Sequence, residues 1–286
     1  MEQYIWIIFV FIYSFLKGSR DGMKKAALKK SSADEILFFY SLFGFILILP
    51  FSQNAFSTPP IYIFYCFLKS AIICISWILA YVALKQMTVS LYGIMDLSRM
   101  VFSTMLGVFL LGEEMTVSKA IGVTLVIAGL LLVNTKSDSA SGRIRAGVLM
   151  AALANCILNA MSGTMDKILM KDMESDQLQF WFMFFLLILY SVILIVKKEK
   201  ISFKSVKTNY WIPLMSLSLV FGDRLLFSAN AMPESQVTIM TVIKQSSVII
   251  TVLTGWIFFK EKNILFKMGC CAVILCGIFI SLLGIK

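Results

Sequence analysis

The sequence has no histidine, only five prolines, and charged residues at just 15% of its 286 positions. Soluble domains carry about 25% charged residues, so this chain is too apolar to be one of them. The absence of histidine removes the commonest zinc ligand and proton shuttle. Cys66, Cys74, Cys156, Cys270, Cys271 and Cys276 have no zinc-like spacing and fall in apolar stretches, where cysteine serves as a small hydrophobe. No D-x-x-D pair of acids is present to hold a metal. The polar connections are short, which leaves no room for a separate soluble domain. The first apolar stretch lacks a basic leader and is too long for a signal-peptide core, so it is expected to remain as a helix.

What the chain does have is apolar length. A membrane span needs about 20 mostly apolar residues, and ten such stretches lie near 4–28, 36–50, 60–83, 89–111, 117–133, 147–170, 178–196, 211–230, 237–259 and 264–285. The expected fold is an all-α integral membrane protein with ten transmembrane helices. The net charge of +10 does not indicate nucleic acid, because its placement follows topology. Alternate loops hold Lys24, Lys25, Lys29, Lys30, Lys85, Lys136, Arg143, Arg145, Lys197, Lys198, Lys200, Lys204, Lys207, Lys260, Lys262 and Lys267. The opposite loops and the tails hold Lys119, Lys171 and Lys286. The positive-inside rule then places the basic loops in the cytoplasm and both termini outside, in a cell (inner or plasma) membrane. Affinity for anionic headgroups is a by-product.

The chain also repeats itself. A shift of 142 residues lays Asp34-Glu35 through Phe43 over Asp176-Gln177 through Phe185, and Met23, Lys25 and Lys29 over Met165, Lys167 and Lys171. A shift of 148 lays Ala83 through Ser90 over Ala231 through Thr238, Phe109 through Glu113 over Ile257 through Glu261, and Gly129 over Gly277. The repeats run over residues 1–135 and 146–286. Five spans per repeat is an odd number, so the halves enter the membrane in opposite senses. Such inverted repeats typify secondary carriers, whose substrate site lies near the midplane between them.

The run Ala83-Leu84-Lys85-Gln86-Met87-Thr88-Val89-Ser90, followed by a span, Phe109-Leu110-Leu111-Gly112-Glu113-Glu114, Ala120-Ile121-Gly122 and Ile127-Ala128-Gly129, resembles the signature of EamA-type proteins of the drug/metabolite transporter superfamily. Ala231-Met232-Pro233-Glu234-Ser235, Glu261 and Gly269 to Gly277 resemble the same module. The resemblance implies ten helices around a central cavity, the last helix of each half at the periphery, and transport of small organic solutes without ATP. Two features depart from it. Many members have proline midway through the fourth and ninth helices, where this chain has Met95-Asp96-Leu97-Ser98-Arg99 and Ile243-Lys244-Gln245-Ser246-Ser247. Relatives often have cytoplasmic termini, whereas the loop charges here place them outside.

Nine charged residues fall inside spans: Lys17, Arg20, Asp21, Lys69, Asp96, Arg99, Asp223, Arg224 and Lys244. Each would cost roughly 2.5–3.5 kcal/mol facing lipid at the bilayer centre, so they must face a cavity or one another. Asp96 and Arg99, spaced i,i+3, can pair, while adjacent Asp223 and Arg224 need partners on other helices. The bases outnumber the acids, which leaves two readings: structural pairs with headgroup snorkelling, or an anion-tolerant cavity in which Arg99, Arg224 and Lys244 meet a substrate carboxylate or phosphate. The candidate substrate-binding residues are Lys17, Arg20, Trp77, Asp96, Arg99, Asp223, Arg224, Lys244 and Gln245. Asp21, Glu113 and Glu261 are candidates for coupling or gating. Gly18 and Gly22 are expected to interrupt the first span and Gly163 the sixth, while Gly122, Gly129, Gly269 and Gly277 suit close helix packing.

The leading expectation is therefore a secondary carrier of a small polar metabolite, anionic or zwitterionic, working by alternating access. It needs no cofactor or metal, and sits in the bilayer as a monomer or homodimer. The alternatives are an exporter of amphipathic cations, with Trp77, Tyr81, Tyr92 and Trp181 as a cation cage, a membrane-embedded lipid-modifying enzyme, and a structural or sensory subunit.

Overall fold

The computed structural model describes residues 5–111, 115–135, 145–198, 208–232 and 243–283, and among them every regular element is helical. In chain order these are α1 (Ile5–Ala27), α2 (Ala33–Ile48), α3 (Pro60–Gln86), α4 (Val89–Asp96), α5 (Arg99–Leu111), α6 (Val117–Thr135), α7 (Ala146–Leu169), α8 (Ser175–Lys197), α9 (Trp211–Ala231), α10 (Ser247–Phe259) and α11 (Ile264–Leu283). Their starts follow local chemistry. Ser32 and Glu35 exchange side-chain and backbone hydrogen bonds in a capping box before α2, as Glu174 and Gln177 do before α8. Pro60 opens α3, where a missing amide costs nothing. Among the described residues, five helical stretches are long and apolar enough to cross a membrane: Ala33–Phe51, Pro60–Gln86, Ala146–Asp166, Ser175–Lys197 and Ile264–Ser281.

The helices pack as exchangeable halves. α1 contacts α9 as α7 contacts α3, and α2 contacts α9 as α8 contacts α3. The pairs α2–α8 and α6–α11 each map onto themselves, and α1 contacts α10 as α7 contacts α5. The matched helices α2 and α8 run in opposite directions. Lys197 at the end of α8 pairs with Asp34 at the start of α2 at 2.7 Å. Asn54, beyond the end of α2, donates to Glu174, before the start of α8, at 3.0 Å.

The helix interruptions are not where the glycines suggest. α1 runs unbroken through Gly18 and Gly22, and α7 through Gly163. A Cβ on Gly18 would meet the Ser247 carbonyl and Ile250, and one on Gly22 would meet Thr254, so these glycines let α1 close against α10. Gly122 and Gly277 likewise face each other's carbonyls across α6 and α11, while Gly163 and Gly269 face open space. The breaks fall instead in the fourth and ninth segments. Between α4 and α5, Leu97 and Ser98 donate to Ile94 and Met95 at 3.1 and 3.0 Å, in i→i+3 turns. Ahead of α10, Ser246 donates to Ile243 at 3.2 Å. Ser98 and Ser246 coincide under the shift of 148 residues, so the two halves break at the same place.

Candidate functional site

Both breaks carry charge. Asp96 ends α4 and Arg99 opens α5, while Lys244 and Gln245 precede α10. The turns take up the amides that follow them: Met100 and Val101 donate to Leu97 and Ser98 at 3.0 Å, and Ile249 to Ser246 at 2.9 Å. Asp96 binds two cations: Arg99 Nη2 lies 2.9 Å and Lys17 Nζ 3.7 Å from the same carboxylate oxygen. Lys17 is also within electrostatic reach of Asp21 and Lys244. Asp21 pairs with Lys24 at 3.0 Å and accepts from Thr251 at 3.4 Å, which ties α1 to α10.

A second group lies alongside. Lys69 of α3, buried, pairs with Asp166 of α7 at 3.2 Å, and its ammonium sits 3.8 Å from the Phe182 ring centroid. Asp166 also feels Lys244. Asp223 is within electrostatic reach of Arg20, Lys69 and Asp166, and Arg20 faces Tyr40. The connected set therefore joins Lys17, Arg20, Lys24, Lys69, Arg99 and Lys244 with Asp21, Asp96, Asp166 and Asp223.

The remaining candidates lie elsewhere or play other parts. Arg224 pairs with Asp176 of α8 at 3.2 Å and stacks 3.6 Å from the Phe51 ring centroid. Trp77 packs against Tyr40 and Phe182, with ring centroids 5.1 and 6.3 Å away. The aromatics of the cage reading do not converge: Trp181 donates to the Ala55 carbonyl and packs on Phe56, while the Tyr92 hydroxyl accepts from Asn155. Glu261 accepts from the Val89 and Ser90 amides at 2.6 and 3.2 Å and pairs with Lys267 at 3.3 Å, capping α4 from the other half of the chain. Glu113 lies outside the described residues.

Sequence reasoning missed Asp166, Tyr13, Tyr40, Asn155, Asn159 and Gln179. Ser76, Asn155 and Asn159 form a buried network, with Ser76 donating to Asn155 at 2.8 Å and Asn159 to Ser76 at 2.7 Å. The repeat held a usable signal, since the shift of 142 lays Asn155 and Asn159 on Tyr13 and Lys17.

Exchangeable antiparallel halves, apolar helices long enough to span and a charged interior define a multi-pass membrane protein of the transporter type. The EamA-like transporter family matches residues 4–135 and again 145–283, and the chain belongs to that family of the drug/metabolite transporter superfamily. A solved structure titled "Crystal structure of protein" is similar in fold, with a TM-score of 0.62 at 12% identity over 95% of this chain and 96% of that one. No curated protein matches.

Proposed function

We propose that this protein is a secondary carrier that moves a small anionic or zwitterionic metabolite by alternating access. In this reading α1, α4–α5, α6, α9 and α10 span the bilayer together with the five longer helices. Residues 1–135 and 146–286 form inverted halves, and the basic loops lie in the cytoplasm with both termini outside. The observation that carries the reading is the pair of matched breaks, with Asp96 and Arg99 at one and Lys244 at the other, beside Lys17 and the buried bases Arg20 and Lys69. Cations at membrane depth are costly unless opposite charge faces them, and an anionic substrate adds to the charge that Asp96 and Asp166 already supply. Lys17, Arg99 and Lys244 hold its carboxylate or phosphate. Asp96 keeps the two cations it binds in place when the site is empty.

The test is a thermal-shift screen of the purified protein against equal panels of anions, zwitterions and cations, because a ligand selective for the folded state raises its melting temperature by mass action. Stabilisation by carboxylates or phosphates that disappears in Arg99→Ala supports the reading. Stabilisation by amines alone overturns it.

A further inference from the structure

Gln179 of α8 is 4% exposed, and neither end of its amide meets a partner. Its helical neighbours are held in place. One turn before it, Asp176 pairs with Arg224, whose Nε is also buried without a partner. One turn after it, the Phe182 ring lies against Lys69, which is itself paired with Asp166. Gln179 thus sits on one helix face between two ion-paired cations, and its buried neighbours Met183, Leu186 and Tyr190 continue that face into the apolar core. The backbone does not require an amide here: the shift of 142 puts Leu37 at the matching position of the first half, buried in the same core. A buried donor and acceptor left unmet destabilise the empty protein. Such a group is understandable when something other than the protein uses it.

We propose that Gln179, with the Nε–H of Arg224, forms a second subsite that recognises a neutral hydrogen-bonding group of the substrate, a hydroxyl or a carboxamide. The Lys17–Asp96–Arg99 cluster and Lys244 hold its anionic end. The inference rests on the carrier reading above and adds a specificity determinant to it. An amide offers both donor and acceptor, and the guanidinium Nε–H adds one more donor. A hydroxylated anion therefore gains hydrogen bonds that its plain analogue cannot make.

The experiment compares malate with succinate, and glycerol 3-phosphate with inorganic phosphate, by ligand-induced thermal shift and by counterflow. It uses the full-length protein in lipid nanodiscs, as wild type and as Gln179→Met. In the wild type the hydroxylated member of a pair is expected to bind about tenfold more tightly. Gln179→Met is expected to bring that ratio to about one, leave succinate and phosphate affinities unchanged, and not lower the melting temperature of the empty protein. A wild-type ratio near one, or a ratio that survives Gln179→Met, overturns the proposal. So does a fall in the empty protein's melting temperature, which would show a structural partner for the amide. If none of the four compounds binds, the anion-carrier reading itself fails.

Discussion

Glu261 offers a direct test of how the halves are joined. Its carboxylate lies at the end of the helix bundle, 6% exposed, against Lys267 at 3%, and it receives two amides from the first turn of α4. Glu261→Ala would leave a buried ammonium without its carboxylate. Breaking one side of a buried pair costs about 3–5 kcal/mol, and this estimate already includes the stranded charge. The two uncapped amides add about 1 kcal/mol, on the scale of lost helix caps. Lys267→Met strands a carboxylate that still holds two amides, so it should cost less. In Glu261→Ala/Lys267→Met no stranded charge remains, and the double variant should lie within about 1–2 kcal/mol of wild type, the loss of the cap alone. Unfolding titrations of the four proteins in one detergent close this cycle. A Glu261→Ala loss below about 1 kcal/mol, or a double variant as unstable as the two single losses added together, would refute the buried pair. Gly255→Ala should resemble a mild form of Glu261→Ala, because its Cβ would lie 2.8 Å from the Glu261 carboxylate oxygen and 2.5 Å from the Ser90 hydroxyl.

Three further outcomes follow from the packing and the loop charges. Gly122→Ile should force α6 away from α11 and cost about 1–3 kcal/mol in the same unfolding assay, whereas Gly269→Ala, facing open space, should be neutral. Lys197→Ala removes an ion pair whose lysine is 47% exposed, so its effect should stay below about 1 kcal/mol. With single cysteines in a background lacking the native six, Lys171→Cys should react with a membrane-impermeant maleimide on intact cells. Lys198→Cys should react only after lysis, and the reverse pattern would overturn the orientation drawn from the loop charges.

The helices were largely legible in the sequence, because an apolar run bounded by charges fixes where a helix can sit in a bilayer. The ends at Ile5, Pro60, Val89, Val117, Trp211 and Ile264 all fall within a residue of the apolar runs. The breaks were misassigned for a physical reason. Glycine signals both a weak helix and a close approach, and sequence alone does not separate the two. Gly18 and Gly22 proved to be the second kind, pressed against Ser247, Ile250 and Thr254 of α10. Proline, the usual sign of a break, is absent from Met95–Arg99 and Ile243–Ser247, yet the backbone turns there all the same. The i,i+3 pair Asp96–Arg99 could be read from spacing, but Lys69–Asp166 and Arg224–Asp176 join different helices and depend on the fold.

What the fold adds is the relation between the halves. The backbone packing is two-fold, but the side chains at matching positions differ: Tyr13 faces Asn155 in the alignment, Lys17 Asn159, and Asp96 Lys244. The last of these exchanges opposite charges. A site that was symmetric in charge would present the same group from both halves and would suit a symmetric ligand. Here one half carries the Lys17–Asp96–Arg99 cluster, and the other carries Lys244 and the neutral Asn155–Asn159 pair. In the carrier proposed above, that asymmetry would orient a ligand with one charged end. On that proposal, reversal of the opening would be a property of the shared backbone, and recognition a property of residues the halves do not share.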